Sequence, residues 1–268
     1  MIQKLLARDF FNNKEQPIIL EPRAPQEIFP EHTHDFDELV IVKHGSGRHI
    51  LNGYPHDLYP GVVLYIQAQD HHSYENLQDL CLTNILIQSN NNFKYLNNID
   101  ILLNGLKPEN SSYQLINKKT AEYIDSLLEK INAIDESYNL QNECLFFQVL
   151  SSIQAHQFND SGYGNTEEKG RQMIRWLENN FEKEIDWEEL AEKFALPIRT
   201  LHRYIKSQTG HTPQNYVTKL RLAQAYYQLK YTEKNIINIA YDCGFNDSSY
   251  FSTCFKNEYS IAPRELRI

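Results

Sequence analysis

The apolar positions of this chain change period along its length, and the changes mark its parts. From Ile18 to Ser89 they fall in short runs bounded by turn residues. "DELVIVKHG" runs into Gly45-Ser46-Gly47, where the pattern predicts a strand end. "RHIL" and "YPHDL" flank Asn52-Gly53, a pair suited to a two-residue hairpin because both central residues need positive φ. "YPGVVLYIQ" and "LCLTNILIQ" read as buried strands. Regular short strands separated by Gly and Pro predict a sandwich or small barrel.

From Lys118 to His156 the period becomes helical. Ile124, Leu127, Leu128, Ile131 and Ile134 form one stripe; Leu145, Phe146, Val149, Leu150 and Ile153 form a second. Two amphipathic helices follow. Their apolar faces either cover the barrel or pair with a second subunit, and the expectation is a homodimer. The segment 157–169 is polar and rich in Gly, Asn and Ser, as in an exposed linker. Residues 1–156 thus form an α+β unit with a β-barrel and a helical dimerisation segment. Residues 170–268 are expected to be all-α.

The helical tail repeats itself. "LAEKFALPIRTLHRYIKSQTGHTP" and "IAYDCGFNDSSYFSTCFKNEYSIAP" align Ala191 with Ala240, Leu201 with Phe251, Ile205 with Phe255, Lys206 with Lys256 and Pro213 with Pro263. Each copy reads as a helix, a tight turn and a second helix, at about 188–209 and 235–258. Pro197 breaks the first, and Gly244 suits the left-handed position in the second. This is a helix-turn-helix pattern, whose second helix enters a major groove. The connector from Pro213 to Lys230 spans about 27 Å as a helix, the right order for two readers in grooves roughly 34 Å apart. The outward face of the first reader shows Arg199, Thr200, His202, Arg203 and Lys206; the second shows Ser248, Ser249, Ser252, Thr253 and Lys256.

Charge sharpens this division. The net charge of −9 argues against nucleic acid for the chain as a whole. From Ile198 onward, however, there are 10 basic and 5 acidic residues, so the acidity belongs to the first part. The cysteines at 81, 144, 243 and 254 form no C-x-x-C pair, which fits a reducing cytoplasm. No apolar run approaches a membrane span, and Met1–Phe11 has no leader-like core.

The tail resembles the AraC family of bacterial transcription regulators, through Ile239-Ala240, Cys243-Gly244-Phe245, Phe251, Phe255-Lys256 and Ala262-Pro263. Pro197 departs from the capping Ser often found there. "ARDFF", "PEHTHDFDELVIVKHGSG" and "LQDLCLTNILI" extend the resemblance to the rhamnose-responsive activators of that family. The resemblance implies a sugar-sensing barrel, promoter DNA and RNA polymerase as partners, a cytoplasmic location and no catalysis.

His32-x-His34-x3-Glu38-x6-Gly45, with Pro60-Gly61 and His72-x3-Asn76, is similar to the two motifs of cupin barrels. In a metal-binding cupin His32, His34, Glu38 and His72 would converge on one ion, and imidazole with carboxylate suits Fe, Mn, Ni or Zn. In a sensor the same groups hydrogen-bond sugar hydroxyls, with Tyr65 or Tyr74 stacked on the ring and His71 a spectator. They can also serve the fold alone. The fused DNA-binding tail favours a sugar pocket with no metal and no cofactor. The alternatives are a metal-dependent cupin enzyme and a regulator that senses a different sugar.

Overall fold

The computed structural model describes residues 3–11, 16–88, 93–106, 113–133, 140–158 and 166–267. The chain divides into two compact units, the first ending at Ser161 and the second beginning at Gly162. Helix continues to Phe158 and resumes at Thr166, so both ends of the expected linker are helical. Its middle, like Ile134, lies outside the described residues.

The first unit is built on eight strands: β1 (Gln3–Leu5), β2 (Ile18–Arg23), β3 (Phe29–His34), β4 (Asp37–Leu51), β5 (Tyr54–Leu58), β6 (Val62–Ile66), β7 (His72–Ile87) and β8 (Tyr113–Leu115). The long β4 and β7 pair antiparallel along their lengths. Around them the order is β1-β3-β7-β4-β6-β8, with β2 on β7 and β5 on β4. Among the described residues the ladder does not close into a full barrel.

Gly45 does not end a strand. β4 runs through it, and the register against β7 shifts between Val42 and Arg48. Gly45 has φ +76°, and a Cβ there would meet the Asp79 carbonyl at 2.1 Å. The glycine is a bulge that bends one continuous strand. Asn52 and Gly53 (φ 50° and 81°) do form the tight β4–β5 turn.

One sheet face packs on helices. After α1 (Ile99–Asn104) come α2 (Lys118–Ala133) and α3 (Leu140–Phe158). Ile124, Leu127, Leu128 and Ile131 join Leu145, Phe146, Val149, Leu150 and Ile153 in one core with Leu39, Ile41, Val63, Ile85 and Ile87. The described stripe residues are buried within their own unit, so they cover the sheet. Glu143 is buried in α3, where it accepts hydrogen bonds from the backbone N–H groups of Lys94, Tyr95 and Leu96 at 2.6–2.8 Å. That bond set fixes the 93–96 loop on the helix.

The second unit is helical: α4 (Thr166–Glu178), α5 (Trp187–Lys193), α6 (Ile198–Thr209), α7 (Pro213–Tyr231), α8 (Ile236–Asp242), α9 (Ser248–Tyr259) and α10 (Pro263–Leu266). The α5–α6 and α8–α9 pairs are the two sequence repeats. α7 joins them, 19 residues long and so about 28 Å. Its Arg221 donates to the carbonyls of Phe181 and Lys183, at 2.6 and 2.7 Å. Leu222, Ala225 and Leu229 of α7 pack with Ile239, Ala240, Cys243, Phe251 and Phe255.

Candidate functional site

Strand periodicity places the first half of the site. On β3, His32 and His34 are two apart and share a face. Register sets His32 opposite His72, Glu38 opposite Leu86 and Val40 opposite Asn84. His32, His34, Glu38, His72, Asn84 and Leu86 converge on a cavity of about 440 Å³, lined also by Leu5, Phe10, Arg23, Phe29, Phe36 and Tyr74. That volume lies in the range of small-molecule sites, ~300–1,000 Å³.

The floor is polar and closed to water. His34, Glu38 and His72 are 1%, 4% and 1% exposed. The Nδ1 of His34 meets the Phe36 carbonyl. A carbonyl only accepts, so Nδ1 carries the proton and Nε2 presents a lone pair. The Nδ1 of His72 is 2.9 Å from Nε2 of His49. The Nε2 atoms of His34 and His72 lie 3.7 and 3.6 Å from one Glu38 oxygen, and neither has a hydrogen-bond partner. His32 is engaged elsewhere, by the Pro30 carbonyl at 2.9 Å and by the backbone of His72.

Burial sets the charges. It holds His32, His34 and His72 below the ordinary histidine range, and for His72 the neighbouring imidazoles add to it. Burial also pushes the Glu38 carboxyl up to about 7, against the pull of Arg23. The Tyr74 hydroxyl, buried and without a hydrogen-bond partner, is raised well above its usual value by burial, with Glu38 adding to the effect.

Of the six residues expected in the pocket, His32, His34, Glu38, His72 and Tyr74 line it, and Tyr65 does not. Tyr65 pairs with Leu39, so it points to the opposite sheet face, into the helical core, where its hydroxyl donates to Asp37 at 2.7 Å. His71 lies partly exposed, 2.7 Å from Glu31. Arg23, His49 and Asn84 were missed. Asn84 had a signal, as the polar residue inside the apolar run "LTNILI".

The second half of the site is a pair of helices. α6 turns Leu201 and Ile205 inward and leaves Arg199, His202, Arg203 and Lys206 exposed, with Thr200 half-buried. α9 buries Phe251 and Phe255 and exposes Ser249, Thr253 and Lys256, with Ser248 and Ser252 half-buried. The hydroxyls of Ser252 and Thr253 donate to the carbonyls of Ser248 and Ser249, at 2.8 and 3.1 Å. They face outward as acceptors. The two helix starts also differ: Asp247 caps α9 through the Tyr250 N–H, whereas Pro197 gives α6 no side-chain cap.

A family model described as "AraC-like ligand binding domain" matches residues 17–150, and one described as "Helix-turn-helix domain" matches 190–268. The chain belongs to the AraC family. Proteins named "HTH-type transcriptional activator RhaS" are similar over nearly the whole length. The one from Enterobacter sp. (strain 638) is 40% identical over 263 residues, 97% of this chain and 95% of that one. The one from Yersinia pestis (strain Pestoides F) is 40% identical over 269 residues, 97% and 96% of the two. Among solved structures, an AraC-type transcriptional regulator from Chromobacterium violaceum is 31% identical, with TM-score 0.36, over 38% of this chain and 91% of that one. As an AraC-family protein the chain is a transcription activator that joins a ligand-binding domain to a DNA-binding one, and no helix among its described residues is long and apolar enough to cross a membrane.

Proposed function

We propose that the first unit binds a small neutral sugar, L-rhamnose first among the candidates, and that binding adjusts the grip of the second unit on promoter DNA. The observation that carries this is the mixed lining of the cavity, which combines lone pairs, hydroxyl and amide from His34, Glu38, His72, Tyr74 and Asn84 with the apolar side chains of Leu5, Phe10, Phe29, Phe36 and Leu86. A deoxysugar matches such a lining, with hydroxyls for the polar groups and a methyl group for the apolar ones. Buried polar groups left unpaired by the wrong sugar would supply discrimination. The RhaS names of the relatives support the same effector.

The protein acts as a regulator and not as an enzyme, in the cytoplasm, as a homodimer that contacts RNA polymerase at the promoter. The dimer face is not the Leu127–Leu150 stripe. Arg199 and Arg203 read base edges from α6, and α9 makes weaker contacts through its hydroxyls. The test is a promoter-DNA titration by fluorescence anisotropy with L-rhamnose, L-fucose and D-mannose. L-Rhamnose should tighten binding most. If no sugar alters the curve and calorimetry shows no heat with any, the pocket assignment falls.

A further inference from the structure

We propose that Arg221 is a positioning residue for DNA reading. It clamps the 181–183 loop, which leads into the first helix pair, onto the turn of the second pair, and so fixes the angle between α6 and α9. The proposal rests on the assignment of those two helices as readers. Its first support is the fork of Arg221. From the middle of α7, Nε donates to the carbonyl of Phe181 at 2.6 Å and Nη2 to that of Lys183 at 2.7 Å. The two donors belong to one rigid plane, so they hold both carbonyls together, with Glu182 between them in sequence.

The second support comes from the other side of the loop. Gly244 lies between α8 and α9 at φ +87°, and a Cβ there would overlap the carbonyl group and Cα of Glu182. Backbone of the second pair's turn therefore meets backbone of the first pair's lead-in. Asp186, just beyond the loop, caps α5 through the N–H groups of Glu188 and Glu189, so the place of the loop is passed on to α5. The third support is mechanical. α7 sets the separation of the two pairs, yet a single axis leaves each pair free to rock about it. A contact away from that axis removes this freedom. Without the guanidinium, two loop carbonyls lose charge-assisted donors, and the loop can lift from the Gly244 turn. Adjacent base pairs differ by about 35° and about 3.4 Å along the duplex, so a rigid pair of readers accepts one spacing.

The full-length protein is titrated by fluorescence anisotropy against three duplexes. They are its promoter footprint, the footprint with one base pair inserted between the two contacted segments, and the footprint with the α9 segment scrambled. Wild type should lose about tenfold or more on the inserted duplex, the scale of one or two mismatched base pairs. Arg221→Gln should bind the native footprint about as weakly as the inserted one, and should match wild type on the scrambled duplex. Arg221→Lys, whose ammonium still donates to carbonyls, should restore most of the spacing preference. A wild type that tolerates the insertion overturns the proposal without any variant. A wild type indifferent to scrambling overturns the reader assignment beneath it. A retained spacing preference in Arg221→Gln, or an equal loss on all three duplexes in a variant with wild-type helical circular dichroism, sinks the clamp alone.

Discussion

His49 and His72 face each other across β4 and β7, Nε2 to Nδ1 at 2.9 Å, with both imidazoles out of water. The pair fixes which way His72 points its other nitrogen. His49→Phe keeps a ring of similar reach and removes the hydrogen-bond partner. The affinity for L-rhamnose should drop by roughly tenfold, about the worth of one lost buried hydrogen bond, while anisotropy with promoter DNA in the absence of sugar stays unchanged. Equal calorimetric titrations with L-rhamnose for wild type and variant would refute the tether.

Glu38 makes the stability of the protein pH-sensitive. Its carboxyl ionises near its ordinary 4.5 in the unfolded chain and at about 7 in the folded one. Between these values the folded state holds the extra proton, so stability falls as pH rises through that window. The full difference is on the order of 3 kcal/mol. Glu38→Gln should therefore raise the urea midpoint at pH 8 and leave it nearly unchanged at pH 4. A constant difference at both pH values would refute this origin.

Leu127 and Leu150 lie 1% and 0% exposed in the core of their own unit. Aspartate at either position puts a charge among Ile124, Phe146 and Val149. The expected result is loss of the cooperative thermal transition, not a folded monomer. A variant that melts like wild type but sediments at half its mass would restore these stripes as an interface.

Arg203 and Lys206 test base reading against backbone contact. Arg203→Ala should lose about 1–3 kcal/mol on the preferred operator and relax preference at one base pair. Lys206→Ala should weaken all sequences alike and reduce the salt slope by about one unit. Uniform loss across operator variants for Arg203→Ala would make Arg203 a phosphate contact.

Ala195 and Gly244 occupy matching turns, both at positive φ, +47° and +87°. Only the second is a glycine. Ala195→Gly should relieve left-handed strain of about 1 kcal/mol, partly offset by the greater freedom of the unfolded chain, and raise the melting temperature slightly. Gly244→Ala should lower it sharply, because the new Cβ would sit 2.4 Å from the Glu182 carbonyl.

By itself the sequence determined what local periodicity encodes. The helix pairs of the tail, the strands from Ile18 to Ile87, the Asn52-Gly53 turn and the outward set on α6 all follow from spacing and turn chemistry, because a helix with one apolar stripe has only one way to face its core. Tertiary structure decided what spacing leaves symmetric. β6 is buried on both faces, so nothing in "VVLYI" says whether Tyr65 faces the cavity or the helices; pairing with Leu39 settles it. The α2 and α3 stripes would look the same against a sheet or a second chain, and only the sheet beneath them shows which is present. His49 and His72 are 23 positions apart, and their meeting exists only once β4 and β7 are in register. Periodicity acts within one element, whereas a floor of converging lone pairs is made by the pairing of several.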